Sequence, residues 1–363
     1  MRIQNPSELT SGQSRPHVLH VIQSTSGGGA EYVARQVANH QKEHFKVSLL
    51  TWEPETSFAI PGGVNHIKVE KKSRGLIGLF RLAFDFRTSL QKQNVDVVVA
   101  HMHYSAVLAW LSLLNSGVKL RIFVHHSSSS DSAMNIPSWM LRCIYKNFKV
   151  VAVSEDSAKS LKDFVDRASI KILPNPLELS SEPKKSVQLK YGNPVRLVAV
   201  GRLAPVKNYS FMFEALRFLK ADFQLTIIGD GETTLLRTEA VRLGLERKIV
   251  FLGWLDPRDI DSYLRSSDIF LMTSNYEGEP SALLEAAAVG LSVVARRTPG
   301  LGSAVAKVGG YSPTEDTPQS FADALQNVLN SPIIIDLDRS WMEAHAPEKA
   351  SHEYCQLIIN SFS

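Results

Sequence analysis

Short apolar runs alternate with amphipathic stretches along most of the chain. The runs are rich in Val, Ile and Leu, and the stretches between them place apolar residues at helical spacing. Continuous apolar strands separated by helices are typical of parallel sheets with both faces covered. The pattern therefore predicts an α/β protein. Its predicted strands are residues 17–23, 45–52, 95–100, 121–125, 150–154, 170–173, 195–201, 224–229, 249–252, 269–273 and 292–295.

A polar segment interrupts this alternation near the middle of the chain. Residues 180–194 (SSEPKKSVQLKYGNP) contain no apolar run and are rich in charge and proline. Because 363 residues are enough for two domains of ordinary size, we expect a domain boundary here. The predicted units are a first domain at residues 1–182, a second at residues 183–346 and a C-terminal helix at residues 347–363.

Composition narrows the class of protein only slightly. The net charge of +4 and the pI near 8.9 are too mild to predict nucleic-acid binding. Cys143 and Cys355 lie far apart and lack a CxxC or histidine cluster, which favours a reducing compartment. Since neither a signal peptide nor a long apolar span is evident, we expect a soluble, cytoplasmic protein.

Two carboxylates flank a predicted turn from strand to helix in the second half. Glu277 follows the strand at residues 269–273, and Glu285 lies one turn into a helix that Pro280 opens. The backbone N–H groups between the two acids favour an anion at the helix start. Carboxylates beside free amides suit sugar hydroxyls and a phosphate. Solvated acidic residues at a helix start are the simpler alternative.

A basic turn precedes these carboxylates in the sequence. Gly201 ends a predicted strand. Arg202 and Lys207 follow in one loop, and Asn208 is suited to cap the next helix. Arginine offers a fork for phosphate oxygens, and lysine offers a point charge. At the carboxyl ends of parallel strands, where such sheets bind ligands, these residues predict a diphosphate clamp. Two exposed basic residues on a loop are the alternative.

Three glycines follow the first strand, in the sequence STSGGGAEYV. Gly28 and Gly29 let the backbone approach a ligand closely at a helix start, as a phosphate loop does. Glu31 lies in the same predicted first turn and is a further polar candidate. Because the segment matches neither GxGxxG nor a Walker motif, a flexible turn is an equal alternative.

Histidines follow two neighbouring strands of the first half. His101 and His103 come after the strand at residues 95–100, and His125 and His126 end the next. Clustered histidines can bind a metal, but no carboxylate or cysteine set accompanies them at ligand spacing. The sequence therefore predicts no metal site, and hydrogen-bonded structural histidines are the alternative.

The segment at residues 71–92 is basic and carries apolar residues at helical spacing. A basic amphipathic helix of this kind can rest on an anionic membrane surface. An ordinary core-facing helix of an α/β domain is the commoner alternative.

Four segments of the second half carry a resemblance to a known family. In order, they are VGRLAPVKN, IIGDGE, VFLGW and EGEPSALLEAAAVGLSVVA. Their order and spacing resemble the donor half of the retaining glycosyltransferases of family 4. The resemblance implies the GT-B fold, with two Rossmann-like domains whose parallel sheets face each other across a cleft. The first domain is expected to bind the acceptor and the second the nucleotide sugar, while the C-terminal helix crosses back to the first.

The resemblance also implies the reaction. A hexose is expected to pass from a nucleoside diphosphate sugar to a hydroxyl with retention of its anomeric configuration, and a UDP-sugar is favoured over a GDP-sugar. No metal and no cofactor take part. The expected acceptor is a saccharide or a lipid-linked saccharide in surface glycan synthesis, and peripheral contact with the inner face of the cell membrane is a further expectation.

The resemblance assigns the site residues in three sets. The catalytic set is His126, or His125 one position earlier, with Glu277, Arg202 and Lys207. The donor-binding set is Gly28, Gly29, Gly201, Arg202, Lys207, Gly229, Gly231, Trp254, Leu255, Glu277, Gly278, Glu279, Pro280, Ser281, Leu283 and Glu285. The acceptor-binding set is His101, His103 and Glu31. Within the donor set, Glu277 serves the hexose, Glu285 the ribose and the turn at residues 253–255 the base.

The chain departs from the family pattern at Glu279, where an aromatic or other apolar residue is usual. A carboxylate there either reflects an unusual donor sugar or points away from it. Two DxD-like strings, at residues 259–261 and 336–338, lie outside any nucleotide-binding context and are discounted as metal sites. A nucleotide-sugar epimerase of the same fold and a non-catalytic nucleotide-sugar-binding subunit are the rival functions.

Overall fold

The computed structural model describes residues 15–25, 28–53, 59–70, 75–113, 116–129, 136–178, 194–331, 337 and 339–362. Most of the predicted boundary segment and of the string at residues 336–338 falls outside these ranges, as do residues 71–74. The chain divides into two compact units. One comprises Met1–Pro176 and Pro347–Ser363, and the other comprises Leu177–Ala346.

Each unit contains one parallel sheet. The described strands are β1 (His17–Val21), β2 (Lys46–Thr51), β3 (Asn65–Lys68), β4 (Val97–His101), β5 (Leu120–His125), β6 (Lys149–Ala152), β7 (Ile170–Ile172), β8 (Val195–Val200), β9 (Phe223–Ile228), β10 (Ile249–Gly253), β11 (Ile269–Met272) and β12 (Ser292–Ala295). The first sheet has the order β3-β2-β1-β4-β5-β6-β7, and the second has the order β10-β9-β8-β11-β12.

Helices connect the strands and cover the faces of both sheets. The described helices are α1 (Gly29–Gln41), α2 (Gly75–Gln93), α3 (Met102–Ser112), α4 (Ser138–Asn147), α5 (Glu155–Ser160), α6 (Tyr209–Leu216), α7 (Thr234–Arg242), α8 (Pro257–Ser266), α9 (Ser281–Ala288), α10 (Leu301–Lys307), α11 (Pro318–Asn330), α12 (Arg339–His345) and α13 (Pro347–Ile359). The alternating α/β architecture that the sequence predicts is confirmed.

All eleven predicted strands are present, and their ends differ from the prediction by at most two residues. The sequence did not predict β3, whose four residues read NHIK and are exposed or half-buried. This strand lies at the edge of the sheet, and among the described strands it pairs only with β2. Because an edge strand buries little apolar surface, β3 has no apolar run by which to recognise it.

Strand β1 shows how the first sheet separates two apolar clusters. All five of its residues are buried. Val18 joins a cluster that includes residues of α1 and α13, whereas Leu19 joins another that includes residues of α2 and α3. Because successive side chains of a strand point to opposite faces, the parity of a residue decides which helices it meets. The same rule places the histidines of this sheet.

Helix α2 faces both the core and the solvent. Leu82 and Phe86 are buried in the cluster beneath the helix, as a core-facing helix requires. Phe80 and Phe84 are 62% and 68% exposed, and they lie one helical turn apart. Among the described residues, no helix is long and apolar enough to cross a membrane.

The second sheet reverses its strand order between β8 and β11. The chain moves outward from β8 through β9 to β10 on one side and continues from β11 to β12 on the other. In open α/β sheets, ligands bind beside the carboxyl ends of the strands at such a reversal. The turns that follow β8 and β11 carry Lys207 and Glu277, respectively.

Candidate functional site

The turn after β8 requires a residue without a side chain at Gly201. This residue has a φ of +156°, and a Cβ atom added to it would lie 3.0 Å from Cε of Lys207. Glycine therefore lets the lysine stem pack directly against the turn. Asn208 accepts a hydrogen bond from the N–H of Phe211 and caps α6, so the predicted helix cap is confirmed.

Lys207 and Glu277 form an ion pair at the point where the strand order reverses. Lys207 Nζ donates to Oε1 of Glu277 at 2.6 Å, and the two side chains are only 20% and 15% exposed. The two turns are also joined through Thr273, whose Oγ1 donates to the Lys207 carbonyl at 3.1 Å. The clamp lysine and the hexose carboxylate of the sequence prediction thus contact each other directly.

Arg202 differs from Lys207 in its surroundings. Its side chain is exposed, and it makes no ion pair within the described part of the chain. Its guanidinium is therefore in contact with solvent. The turn therefore presents one enclosed and one exposed positive charge.

The turns after β9 and β10 pack tightly against the Gly201 turn. A Cβ atom at Gly229, where φ is +153°, would overlap the carbonyl oxygen of Gly201. A Cβ atom at Gly231 would lie 2.7 Å from Cβ of Leu203. The N–H of Gly229 in turn donates to the Gly253 carbonyl at 2.8 Å. Three consecutive turns are thereby held at the same edge of the sheet.

Trp254 and Leu255 follow β10 directly and are both half-buried. Leu255 packs against the apolar cluster between the sheet and α9. Leu283 is a fully buried member of that cluster, and its N–H donates to the carbonyl of Pro280. The donor-binding assignment of Leu283 is therefore wrong, because neither its side chain nor its amide is accessible to a ligand.

The start of α9 differs from the expected row of free amides. Pro280 is the cap of the helix rather than its first residue, and Gly278 beside it is buried. The N–H of Ser281 donates to the Glu279 carbonyl at 2.9 Å. The predicted contribution of the Ser281 amide to ligand binding is wrong for this conformation, since that donor is occupied within the turn.

Glu285 lies in α9 and is half-buried rather than solvated. Burial raises the pKa of its carboxyl to about 8, and the negative charges of Glu178 and Asp261 raise it further. The group is therefore largely protonated at neutral pH, so it can donate a hydrogen bond as well as accept one. The alternative of a solvated acid at a helix start does not apply here.

Replacing Glu285 with glutamine is expected to change how stability depends on pH. Between pH 4.5 and pH 8 the folded carboxyl keeps its proton and the unfolded one loses it, so the wild type loses stability as pH rises. Relative to Glu285→Gln, the loss should be at most about 1.4 kcal/mol per pH unit. Urea unfolding of both proteins across this range measures it, and parallel curves would contradict the raised pKa.

Glu279 turns toward the interior of its own unit. Its Oε1 lies 3.0 Å from Nε2 of His345, and the two side chains are 10% and 5% exposed. Nδ1 of His345 lies 2.9 Å from the carbonyl of Trp341, whose ring packs on the imidazole at 4.0 Å between centroids. The departure from the family pattern thus provides a partner for a buried histidine.

His345 was missed in the sequence because nothing near it marks a site. It ends the short helix α12, and 66 positions separate it from Glu279. A carboxylate where the family usually has an apolar residue does not by itself predict a partner, and neither does an isolated histidine. Only the contact between the two side chains in the structure shows that they belong together.

Removing the Glu279 carboxylate is expected to destabilise the protein. Glu279→Ala leaves Nε2 of His345 buried without this partner, which costs about 1–3 kcal/mol. Glu279→Gln keeps an amide that can hydrogen-bond Nε2 of His345 whether that nitrogen donates or accepts, so it should cost less than about 1 kcal/mol. Thermal unfolding of the two variants tests this, and equal losses would show that the hydrogen bond is unimportant.

The doubled histidine of the first unit divides between the two faces of its sheet. His125 is fully buried among Phe123 and His103, and its Nε2 lies 2.9 Å from Oγ of Ser160. His126, one residue later, is partly exposed on the opposite face. His125 is therefore not available to a substrate, and assigning it as a catalytic alternative is wrong.

The two upstream histidines are equally enclosed. His101 is 0% exposed, and both of its ring nitrogens lie 3.0 Å from other histidine nitrogens. His103 is 1% exposed, and its Nε2 lies 2.8 Å from the hydroxyl of Tyr145. Their assignment as acceptor-binding residues is wrong, because neither imidazole reaches the surface.

The glycine segment leads directly into α1. Gly28 caps the helix with its backbone, since its carbonyl accepts from the N–H of Tyr32 at 3.0 Å. A Cβ atom at Gly29 would meet nothing within 4 Å, and Glu31 is half-buried in the first turn. The fold itself therefore does not require glycine at position 29, and the first turn is open on that side.

Within the described residues, no group of three or more His, Cys, Asp or Glu side chains is arranged to hold a metal ion. The string at residues 259–261 lies on α8, and Asp261 accepts a hydrogen bond from Arg265 at 2.6 Å.

Two family models match consecutive parts of the chain. Residues 27–181 match the model of Glycosyltransferase Family 4, and residues 180–346 match that of Glycosyl transferases group 1. The chain belongs to glycosyltransferase family 4. The first model covers the glycine segment and the histidines, and the second covers the Lys207–Glu277 pair.

Relatives of this family 4 chain include two named bacterial enzymes. The UDP-Gal:alpha-D-GlcNAc-diphosphoundecaprenol alpha-1,3-galactosyltransferase of Escherichia coli is 26% identical over 66% of the chain, and the match spans 65% of that enzyme, slightly under two thirds. The N-acetylgalactosamine-N,N'-diacetylbacillosaminyl-diphospho-undecaprenol 4-alpha-N-acetylgalactosaminyltransferase of Campylobacter jejuni is 24% identical over 75% of the chain and 78% of that enzyme.

Solved structures of the same architecture include Anabaena HepE in complex with UDP and glucose. It is 19% identical, with a TM-score of 0.70 over 94% of the family 4 chain and 95% of HepE. The two parallel sheets with alternating helices are those of the GT-B fold. Both family models describe glycosyl transferases.

Proposed function

We propose that the protein transfers a hexose from a nucleoside diphosphate sugar to a hydroxyl of a saccharide or lipid-linked saccharide, with retention of the anomeric configuration. The observation that carries the proposal is the enclosed Lys207–Glu277 pair, at the carboxyl ends of strands where the strand order reverses. In this pair, the cation of Lys207 can bind the diphosphate and the carboxylate of Glu277 can bind the sugar hydroxyls.

The donor is proposed to bind along the turns after β8 to β11. Lys207 and Arg202 contact the diphosphate, one as an enclosed point charge and the other as an exposed fork. Glu285, protonated when the site is empty, exchanges hydrogen bonds with the ribose hydroxyls, and the base lies against Trp254. UDP is the proposed nucleotide, in keeping with the UDP-Gal in the name of the Escherichia coli relative and the UDP bound to HepE.

The proposed chemistry depends on charge stabilisation. Lys207 and Arg202 balance the charge of the leaving diphosphate, as preorganised cations do in other phosphate chemistry. Glu277 accepts hydrogen bonds from the hexose hydroxyls while Lys207 turns to the phosphate. The leaving phosphate takes the acceptor proton, and the acceptor attacks from the same face. No protein base is needed in this scheme.

Addition of EDTA is expected to leave turnover unchanged. The two cationic side chains supply the positive charge that a divalent metal supplies in metal-dependent transferases. The measurement is UDP release from UDP-galactose with and without EDTA. A loss that Mg²⁺ or Mn²⁺ restores would contradict the scheme.

The acceptor is proposed to be attached to a lipid diphosphate at a membrane. The names of the two bacterial relatives both specify undecaprenol-linked diphosphate saccharides. Helix α2 offers Phe80 and Phe84 on its exposed side, next to the exposed Arg81, which suits peripheral contact with an anionic bilayer. The protein would then act at the inner face of the cell membrane.

Thermal unfolding with UDP, GDP, ADP, dTDP and CMP tests the donor site. At a hundredfold excess over its dissociation constant, a ligand specific for the folded state adds about 2.7 kcal/mol of stability. A shift with UDP alone supports the proposal, and no shift with any diphosphate contradicts it. Product analysis with UDP-galactose then separates transfer from isomerisation by an epimerase and from binding without turnover.

A further inference from the structure

Three imidazoles, two of them fully buried, form a continuous hydrogen-bonded row in the first unit. Nδ1 of His20 lies 3.0 Å from Nε2 of His101, and Nδ1 of His101 lies 3.0 Å from Nε2 of His126. The neighbouring rings are nearly parallel, with 5.3 Å between centroids in both pairs. We call His20, His101 and His126 the histidine row.

The register of the sheet explains how the histidine row arises. His20 on β1 is aligned with Val99 on β4, two positions before His101. His101 is aligned with Val124 on β5, two positions before His126. Each step therefore moves one strand across and two residues forward, which keeps all three side chains on one face of the sheet. The row ends at His126, the one partly exposed member.

The inner end of the histidine row is fixed by an amide. Nε2 of His20 lies 2.8 Å from Oε1 of Gln41, the last residue of α1. With Oε1 facing the ring, the amide only accepts, so His20 carries its proton on Nε2 and accepts at Nδ1. The amide nitrogen of Gln41 is buried, and no described residue bonds it. A neutral imidazole has one donor and one acceptor. His101 must therefore donate from Nε2 to His20 and accept at Nδ1, and His126 must donate from Nε2 to His101. His126 then carries its proton on Nε2 and leaves Nδ1 unprotonated.

Burial keeps the row neutral. It lowers the pKa of His20 to about 4 and that of His126 to about 3, and it lowers the pKa of His101 well below the ordinary value. Within the described residues, no hydrogen-bond partner faces Nδ1 of His126. The end of the row is thus a neutral acceptor without a protein donor.

We propose that Gln41, His20 and His101 are positioning residues that fix His126 as the Nε2–H tautomer, so that its Nδ1 accepts a hydrogen bond from a hydroxyl of a bound sugar. The second half of this statement rests on the proposed function. A neutral acceptor of this kind orients a sugar hydroxyl and supplies no positive charge.

The backbone at Met102 helps to place His101 in the histidine row. Met102 has a φ of +69°, a left-handed backbone conformation that non-glycine residues rarely adopt. This conformation lets β4 pass into α3 without a loop. His101 is left on the face of the row, whereas His103 packs with Phe123 on the other face. A strained backbone at this junction separates the two histidines.

The tautomer of His126 can be read directly by NMR of protein labelled with ¹⁵N-histidine, without any ligand. The wild type is expected to show a protonated Nε2 and an unprotonated Nδ1, with His126→Gln giving the assignment. Gln41→Met and His101→Phe remove a link of the row and should give a mixture of tautomers. A protonated Nδ1 in the wild type, or an unchanged His126 signal in both variants, overturns the proposal.

Kinetics with UDP-galactose separate positioning from general stability. Gln41→Met should lower kcat for UDP release about tenfold, the effect of about one hydrogen bond, while KM for the donor stays near the wild type. His17→Phe is the matched control, because His17 lies on the same strand, is 2% exposed and bonds Gln93 and Ser48 outside the row. An equal loss of kcat in the control, or an unchanged kcat in Gln41→Met, overturns the positioning role. Wild-type kcat in His126→Ala would instead refute the contact between His126 and the sugar, while the tautomer result would stand.

Discussion

Replacing Lys207 with alanine is expected to lower turnover by about a hundred- to a thousandfold, the usual cost of removing one preorganised group that stabilises developing charge. Two causes act together. The leaving diphosphate loses its enclosed cation, and Glu277, only 15% exposed, keeps a negative charge that repels the phosphate. Donor affinity should fall with turnover. UDP release from UDP-galactose and UDP-induced thermal stabilisation measure both effects.

A double variant separates charge stabilisation from protein stability. Lys207→Ala alone leaves a buried, unpaired carboxylate, which costs about 3 kcal/mol in comparable pairs. Lys207→Met combined with Glu277→Gln removes both charges, so it should recover most of this stability without recovering turnover. A double variant that turns over UDP-galactose at the wild-type rate would remove Lys207 from the mechanism.

Replacing Gly229 with alanine is expected to destabilise the second unit by about 3 kcal/mol or more, because overpacking and backbone strain act at one position. The new Cβ atom overlaps the carbonyl oxygen of Gly201, and the φ of +153° disfavours any side chain. Moving Gly201 aside also moves the surface on which Lys207 packs. UDP binding should therefore be lost even at temperatures where the variant remains folded.

Gly244→Ala provides the matched control for this prediction. Gly244 also has a positive φ, +69°, but a Cβ atom there meets nothing within 4 Å. It should lose about 1 kcal/mol from backbone strain alone and keep its affinity for UDP. Urea midpoints and UDP titrations of the two variants make the comparison. Equal losses would mean that contact with the Gly201 turn is unimportant.

The elements of the fold were predictable because most strands carry their own signal. Parallel strands with both faces covered must be apolar along their length, so the runs at β1, β4 or β8 identify them without any knowledge of their neighbours. β3 is the exception, since an edge strand with exposed residues obeys no such requirement. Prediction failed only where burial, the cause of the pattern, was absent.

The site was predictable in part. Lys207 and Glu277 lie in turns that follow apolar strands, and parallel strands bring such turns to one edge of the sheet. Their contact at 2.6 Å and the raised pKa of Glu285 were not predictable, because both depend on which side chains share a desolvated space. The occupied amide of Ser281 and the buried Leu283 were assigned wrongly for the same reason.

The sequence by itself determined the α/β class and the family, because apolar runs and local motifs are properties of consecutive residues. The tertiary structure alone decided which distant polar groups meet. It placed His125 and His126 on opposite faces of the sheet, paired Glu279 with His345, and brought His20 of β1 within hydrogen-bond distance of His101 of β4. These contacts depend on strand order and register, which are fixed only when burial of the whole apolar surface selects one packing.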